Sequence, residues 1–270
     1  SRAAISHQIR QLEAKLGVPL LRRSTRTFSL TDAGARYYDS CRTITLEAEA
    51  ARKRVEELRD EPVGKISLSC SIHMGNLRIV PILSRFRQTY PGVALDVRLT
   101  DEVVDLIGQG IDIAIRSGPL RSSELKSIRL YETRRVIVAS QQYVAAFGIP
   151  DQPEDLTDHN WVMYSRVPET LRLAQGDQER KIPVSGSVQV DSATARLQFL
   201  RDGHGMAVVP FSDVADDIAN GDLMRVLPDW SLPDLSVYAV YSGDVMRSSK
   251  VKTLLDFLRA QLADIDESRH

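Results

Sequence analysis

Apolar residues near the start of the chain recur at helical spacing. They lie three or four positions apart, which predicts a one-sided helix, and they are Ala4, Ile5, Ile9, Leu12 and Leu16. Ser1 is placed to cap the start of this helix, and Gly17 followed by Pro19 predicts its end. A helix this short cannot bury its apolar stripe alone. We therefore expect partner helices that precede Ser1.

A hairpin and a long helix are predicted next. In residues 23–30 the alternation of polarity predicts a short polar hairpin with Phe28 and Leu30 pointing inward. Thr31 then caps a helix predicted from about Asp32 to Asp60. Its apolar residues step by four and three positions, which makes a heptad seam: Tyr37, Cys41, Ile44, Ala48, Ala51, Val55 and Leu58. Such a seam favours pairing with a second chain. Because several of its members are small, packing of the helix on its own hairpin is the alternative.

After Pro62 and Gly64, which predict a hinge, strand-like and helix-like runs alternate. The expected strands are 66–70, 93–99, 111–115, 135–139, 161–164, 185–190, 206–209 and 237–241. The expected helices run through 77–86, 103–107, 192–203 and 251–262. This alternation predicts an α/β fold in two lobes, with mostly parallel sheets and helices on both faces.

Composition narrows the class of protein. The chain is 43% hydrophobic and 26% charged, which is typical of globular domains. No run approaches the roughly 18 apolar residues of a membrane span, and no secretory signal pattern is present. The two cysteines, Cys41 and Cys70, cannot make a disulfide framework. We therefore expect a cytoplasmic protein without a membrane partner.

The net charge of −1 hides an asymmetry along the chain. Residues 1–46 hold eight bases and three acids, a net charge of +5, so the remainder carries −6. A small basic head on an acidic body indicates nucleic-acid binding at one end only. A run of arginines on a solvated face is the alternative.

Motifs for catalysis, cofactors and metals are missing from the sequence. There is no GxSxG, HExxH or Walker-type run. The run Gly203-His204-Gly205 lacks the third glycine of a dinucleotide fingerprint and follows a predicted helix. The five histidines have no metal-ligand spacing. We therefore expect no enzyme, no cofactor and no metal site. Cys70 is either a redox sensor or, as is more common, a buried structural thiol.

Several segments together resemble the LysR-type transcriptional regulators. The recognition helix of that family is similar to Ser1–Glu13 followed by Leu16–Leu21, and its wing and linker start are similar to Arg23, Leu30-Thr31 and Ala33-Gly34. The body agrees at Val80-Pro81 through Phe86, Tyr90–Val93, Gly110–Ile115 and Gly203–Pro210. The order and spacing of these segments make the resemblance specific, and it covers essentially the whole chain. It departs at Leu21, where phenylalanine is usual, and in the absence of the first helices of the DNA-binding domain.

The resemblance implies an α/β protein in three parts. These are a truncated winged helix-turn-helix in residues 1–31, a dimerising linker helix in 32–61, and an effector domain like a periplasmic binding protein in 65–267. Lobe I of that domain would hold 65–138 and 237–267, and lobe II would hold 139–236. The chain would cross between the lobes near 135–139 and 236–240. The implied assembly is a homodimer or homotetramer.

DNA contacts are expected in the first helix and the hairpin. A recognition helix presents its first turns to base edges in the major groove, which here are Ser1, Arg2, Ala3, Ser6 and His7. Arg2 could fork onto guanine O6 and N7, although glutamine is frequent in the family at this position. Contacts to phosphates or the minor groove are expected from Arg10, Arg23, Thr25 and Arg26. The alternative is that the arginines are merely solvated.

An effector site is expected where the strands of the two lobes end. The candidate residues there are Ser71, Ile72, His73, Arg116, Ser117, Ser165, Asp191 and Ser192. Ser71 and Ser192 each begin a helix, where free N–H groups suit an anion, and a plain capping role is compatible with this. Arg116 could neutralise a carboxylate, whereas Asp191 would oppose one. The charge of the ligand therefore stays open.

Three classes of function remain. The first is a regulator that binds operator DNA and a small-molecule effector such as an organic acid. The second is a small-solute-binding protein without a DNA role, and the third is an enzyme on the same fold. The basic head and the heptad helix favour the first class, because a solute-binding protein needs neither of them.

Overall fold

The computed structural model describes residues 2–23, 28–56, 62–118, 125–165, 168–243 and 245–267. Within these ranges, side chains are not described at 2, 3, 23, 28, 46, 49–56, 247 and 264–267. The chain divides into two compact units, residues 1–59 and 60–270. We describe each unit by itself.

Helices and strands alternate along most of the described chain. The α-helices are α1 (Arg2–Leu16), α2 (Asp32–Glu56), α3 (Ile72–Met74), α4 (Val80–Thr89), α5 (Gln141–Phe147), α6 (Ala193–Arg201), α7 (Ala215–Ala219) and α8 (Ser249–Glu267). A π turn, Gly75–Ile79, joins α3 to α4, and short 3-10 helices lie at Pro153–Asp158, Phe211–Asp213 and Val245–Arg247.

The strands of the first unit are β1 (Leu21–Arg23) and β2 (Phe28–Leu30). Those of the second unit are β3 (Gly64–Cys70), β4 (Val93–Leu99), β5 (Ile113–Ser117), β6 (Lys126–Thr133), β7 (Arg135–Ser140), β8 (Val162–Tyr164), β9 (Thr170–Gln175), β10 (Gln178–Pro183), β11 (Val188–Val190), β12 (Ala207–Pro210), β13 (Leu223–Val226) and β14 (Leu235–Tyr241).

The first unit is held together at one corner. Thr31 Oγ1 accepts a hydrogen bond from the Gly34 N–H at 2.9 Å, which confirms the capping role predicted for this threonine. The same hydroxyl donates to the Pro19 carbonyl at 2.7 Å, so α2 starts against the turn that follows α1. A Cβ at Gly34 would lie 2.0 Å from the Leu20 carbonyl oxygen. Only glycine allows this close approach.

Among the described side chains, the heptad seam of α2 is open to solvent at Ile44. Ile44 is 68% exposed, and Tyr37 and Cys41 are half-buried. Leu30 of β2 is 43% exposed, so the expectation that it points inward is wrong. The residues Ala51 and Val55 have undescribed side chains, and Leu58 lies outside the described residues. An isoleucine this exposed on a helix of mostly polar residues favours pairing with a second chain as the explanation of the seam.

The described part of the second unit holds two larger sheets and two strand pairs, β8-β11 and β9-β10. The first has the order β4-β3-β5-β14-β6, with β3 parallel to both β4 and β5, and β14 antiparallel to β5 and β6. Its core packs α4 and α8 against the sheet through residues such as Ile66, Phe86 and Leu258, which are fully buried. Within this sheet Cys70 pairs with Ile115, so the ends of β3 and β5 lie side by side.

The second sheet is centred on β7, which is antiparallel to β12 and β13. A parallel bridge between Trp161 and Met206 continues this sheet onto β8, which pairs in parallel with β11. The indole of Trp161 is 2% exposed and donates its N–H to the Leu156 carbonyl at 3.0 Å. The hairpin β9-β10 is bonded to the segment that follows β13, through an antiparallel bridge between Ala174 and Ser231.

The chain passes between the sheets twice. Thr133 ends β6 in the first sheet, and Arg135 begins β7 in the second. The return occurs before β14, which lies between β5 and β6. The predicted bounds 1–31, 32–61 and 65–267, and the lobe bounds within the last, stay a prediction.

Two expectations about secondary structure are wrong. The sheets are mixed rather than mostly parallel, because β7 and β14 run against their neighbours. No helix forms at 103–107, where Val103 is 85% exposed. Instead Asp105 Oδ1 accepts from the Gly108 N–H at 2.9 Å, and Gly110 has a φ of +63°, which ends the turn. Strand β6 and the hairpin β9-β10 were not expected.

We expect Gly186→Ala to lower the free energy of unfolding by about 2–3 kcal/mol, because overpacking a tight site strains its surroundings. The new Cβ would lie 1.7 Å from the Trp161 carbonyl oxygen, at the bridge that joins β8 to β12. Urea unfolding measures the change. The control is Gly243→Ala, whose Cβ would meet only the Lys126 side chain at 3.5 Å. The control should stay within about 0.5 kcal/mol. Equal free energies of unfolding for the two variants would show that Gly186 is not tightly packed against the Trp161 carbonyl.

Candidate functional site

Helix α1 presents a polar, basic surface to solvent. The side chains of Ser6, His7 and Arg10 are exposed. Arg10 Nε donates to the Ser6 carbonyl at 3.3 Å, and the Gln11 amide lies 3.1 Å from His7 Nε2. Of the other expected DNA contacts, Arg2, Ala3 and Arg23 have undescribed side chains, and Ser1, Thr25 and Arg26 lie outside the described residues.

Glu13 fixes the exposed helix to the hairpin. Its Oε1 accepts hydrogen bonds from the N–H groups of Leu20 at 2.8 Å and Leu21 at 3.1 Å. A charged acceptor strengthens these bonds, and one carboxylate thereby sets the direction in which β1 leaves the turn after α1. The sequence placed Glu13 within the recognition-helix resemblance but did not identify this role.

In the first lobe, the expected effector residues gather at the ends of β3 and β5. Ser71 follows β3 as the N-cap of α3, but its hydroxyl makes no capping bond. Asp101 Oδ1 instead accepts from the Ile72 N–H at 3.2 Å. Arg116 Nη2 donates to Ser69 Oγ at 2.8 Å and to the Glu102 carbonyl at 3.3 Å. A carboxylate of the protein itself therefore takes one of the helix N–H groups that Ser71 was expected to offer.

Two more first-lobe candidates have side chains open to solvent. Ile72 is 41% exposed, and Ser117, the last residue of β5, is also exposed. Ser117 pairs with Val237 of β14, which fixes its backbone in the sheet.

In the second lobe, the expected residues gather at the ends of β8 and β11. Tyr164 pairs with Val190, and the Ser165 N–H donates to the Val190 carbonyl at 2.9 Å. Asp191 is exposed. Ser192 Oγ accepts from the Ala195 N–H at 3.3 Å and so caps α6. Ser165, Asp191 and Ser192 are thus close neighbours at one edge of the sheet.

A buried cluster of a carboxylate, a guanidinium and an imidazole joins the two lobes. Asp213 follows β12 in the second lobe, and its carboxylate is 9% exposed. Arg78 Nη1 of the first lobe donates to its Oδ1 at 2.8 Å. His73 Nε2, also of the first lobe, lies 3.3 Å from Oδ2. His73 Nδ1 lies 3.5 Å from Thr194 Oγ1 on α6, so the histidine contacts the second lobe on both sides.

The electrostatics of this cluster favour an ionised Asp213. Burial alone would raise the pKa of its carboxyl group, but His73 and the Arg78 guanidinium together hold that pKa below its usual value. The carboxylate is therefore charged over the physiological pH range.

The thiol of Cys70 lies nearby. It is fully buried, and burial raises its pKa to about 12, an effect that Arg116 only partly offsets. A thiol with so high a pKa forms little thiolate, so the structural role of Cys70 is favoured over a redox role.

The sequence did not identify Arg78, Arg196 or Asp213. Arg196 of α6 is 6% exposed, and its guanidinium carbon lies 4.5 Å from the centroid of the Tyr164 ring. Arg78 and Arg196 lie in predicted helices and Asp213 lies in a short 3-10 turn. Their positions in the sequence give no sign that the fold brings them together.

In the part of the chain that the structure describes, there is no group of three metal-ligating side chains. The described helices are also too short or too polar to cross a membrane.

Each of the two units matches a known protein family. A family profile described as "LysR substrate binding domain" matches residues 59–263. A second, described as "Bacterial regulatory helix-turn-helix protein, lysR family", matches residues 1–35. The chain belongs to the LysR family of transcriptional regulators. Its α1 and hairpin are therefore the matched part of a DNA-binding helix-turn-helix, and its two-lobed unit is an effector-binding domain of the LysR type.

Characterised relatives span nearly the whole chain. The HTH-type transcriptional activator AaeR of Escherichia coli is 32% identical over 266 residues, which cover 97% of this chain and 86% of that protein. The regulator PtxR of Pseudomonas aeruginosa is 31% identical over 264 residues, with 97% and 85% covered. LysR-type regulators bind DNA and small-molecule effectors and form oligomers.

Solved structures agree with the fold. The regulator CrgA of Neisseria meningitidis superposes with a TM-score of 0.67 at 28% identity, covering 97% of this chain and 90% of that one. The full-length virulence activator AphB of Vibrio cholerae superposes with a TM-score of 0.72, covering 96% and 89%. At 24% identity, AphB supports the fold alone.

We expect Asp213→Asn to lower the free energy of unfolding at pH 7 by roughly 3 kcal/mol, because it leaves Arg78 without its buried countercharge. The pKa of Asp213 is depressed in the folded protein, so its contribution is fully present above the unfolded pKa of about 4 and is lost as pH falls through the folded value. The difference between the variant and the wild type should therefore shrink below about pH 4.

Urea unfolding at pH 7 and at pH 3.5 or so measures this difference, with the exposed neighbour Asp216→Asn as control. The control should change the free energy of unfolding by less than about 0.5 kcal/mol. A deficit for Asp213→Asn that is no larger than that of the control would show that the buried pair does not stabilise the domain.

Proposed function

We propose that this regulator reads an operator through α1 and responds to a small molecule bound between the lobes of residues 65–267. The proposal divides the chain into a DNA-binding part, 1–31, a dimerising helix, 32–61, and the effector domain, with lobe I at 65–138 and 237–267 and lobe II at 139–236. The single observation that carries it is the buried contact of Asp213 with Arg78 and His73, which ties the two lobes together beside the strand ends.

The effector site in this proposal comprises residues from both lobes. They are Ser71, Ile72, His73, Arg116, Ser117, Ser165, Asp191 and Ser192. His73 supports the grouping, because it contacts Asp213 and Thr194 of the second lobe while it belongs to the first. A ligand that favours one arrangement of the lobes shifts their equilibrium by its differential affinity. Coupling to DNA affinity is then expected at about 1–3 kcal/mol.

A regulator of chromosomal genes acts where the DNA is, so we assign it to the cytoplasm. We also propose that it is not an enzyme, because its family acts by binding. The direct experiment is a gel-shift assay with the DNA upstream of its own gene. Specific retention of that fragment over a shuffled one supports the proposal, and equal retention contradicts it.

We expect Arg2→Ala to weaken operator binding by about 1–3 kcal/mol and to relax the preference at one base pair. Arg10→Ala is the matched comparison, since Arg10 is exposed on the same helix but is assigned to a phosphate. It should weaken all sequences alike and reduce the salt slope by about one. Binding curves on operator variants at several salt concentrations separate the two. If Arg2→Ala alters neither affinity nor preference, Arg2 does not read a base.

We expect Ile44→Glu to convert the oligomer into smaller species, because it places a charge in the seam of α2, which is open in the single chain. Thr43→Glu introduces the same charge next to it on an exposed position outside the seam and should leave the oligomer intact. Light scattering of both variants decides the matter. Equal masses for Ile44→Glu and wild type would exclude pairing through this seam.

A further inference from the structure

Arg196 is a buried cation that lacks an anion. It is 6% exposed, and its Nε has no hydrogen-bond partner. The face of its guanidinium lies over the Tyr164 ring at 4.5 Å, and such a contact supplies attraction but no acceptor for the N–H group. A buried donor and a buried charge without partners are both unfavourable, so each needs a reason.

The carboxylate nearest in effect to Arg196, that of Asp213, already contacts two other side chains. Asp213 attracts Arg196 through space, but its two oxygens lie against Arg78 and His73. Among the described residues, no ion pair joins Arg196 to a carboxylate. Arg135 adds a repulsive charge. Arg196 is thus attracted by Asp213 but is not directly paired with it.

Arg196 nevertheless stays charged at neutral pH. Burial lowers the pKa of its guanidinium to about 10, and this is still well above 7. Its neighbour Tyr164 is the last residue of β8, and ligands of α/β sheets bind beyond the carboxyl ends of the strands. An anion that pairs with Arg196 would therefore lie beyond the carboxyl end of β8, where the sheet topology also predicts a ligand.

We propose that Arg196 binds a carboxylate group of the effector, which is a small organic acid. A guanidinium holds a carboxylate through two parallel N–H bonds, and the unpartnered Nε–H is one of the two donors that such a pair requires. The inference rests on the proposed function, because it names the chemical class of the effector. It also adds Arg196 to the effector site, because Arg196 was not among the strand-end residues expected from the sequence.

Acetate tests the proposal because it consists of little more than a carboxylate. Thermal unfolding of the full chain is compared in sodium acetate and in sodium chloride at equal ionic strength and pH 7. We expect saturating acetate to raise the wild-type Tm by about 2–4 °C. Arg196→Met, which keeps the length and removes the charge, should show no rise. Arg201→Gln is the matched control on the same helix, because Arg201 is already paired with Asp217, and it should keep the rise.

Two further readouts distinguish ligand binding from a structural role. Without acetate, Arg196→Met should be at least as stable as wild type, because an unpaired buried charge has been removed. Arg196→Lys keeps the charge without the fork, so its acetate midpoint should rise about tenfold.

The absence of a wild-type rise, an equal rise in Arg196→Met, or a fall of several degrees in the Tm of ligand-free Arg196→Met would overturn the proposal. None of these measurements uses DNA. Failure here leaves the operator-binding proposal intact, and failure of the gel-shift assay leaves the acetate result intact.

Discussion

A carboxylate removed from water in one lobe, with a guanidinium and an imidazole of the other lobe against it, is the constraint on which the effector domain depends. Asp213 belongs to the second lobe, and Arg78 and His73 belong to the first. Burying an ion costs several kcal/mol unless partners replace the lost hydration. The lobes therefore cannot part without rehydrating all three groups, and a ligand that moves them has to compensate. If the proposal for Arg196 holds, this links the chemistry of the ligand to the geometry of the domain, since an acid would bring a carboxylate to a buried guanidinium that is not paired with one.

The DNA-binding unit uses the same physical device for a different purpose. Glu13 accepts two backbone hydrogen bonds at the turn that follows α1, and Thr31 bonds to the same turn from the start of α2. Buried or half-buried polar groups thereby fix the direction of the helix, while its basic side chains remain exposed. A fixed support beneath an exposed arginine such as Arg10 suits electrostatic recognition, because the support fixes where the charge is while the side chain stays accessible to a phosphate.

Much of the fold follows from local pattern, and the charged cluster does not. The run Ile66–Cys70 is buried on both faces and reads as a strand from its apolar residues alone. The segment 103–107 has helical spacing too, but Asp105 and the glycines that follow, Gly108 and Gly110, favour turns. A short apolar pattern cannot decide between a helix and a turn. The positions of Ser71 and Ser192 near strand ends could be predicted, because each serine follows a run of strand-forming residues. Arg78 and Asp213 are 135 positions apart, and no periodicity relates residues across that distance.

The π turn at Gly75–Ile79 has a consequence for how related sequences are compared. His73 and Arg78 are five positions apart, which on a regular α-helix would separate them by about 140° around the axis. A π turn bonds each residue to the fifth one along, as the Val80 N–H does to the Gly75 carbonyl, and so brings such a pair onto one side. The turn is equivalent to one inserted residue. In a relative with an unbroken helix, the counterpart of Arg78 would stand one position earlier, and a correct alignment would need a single-residue gap here.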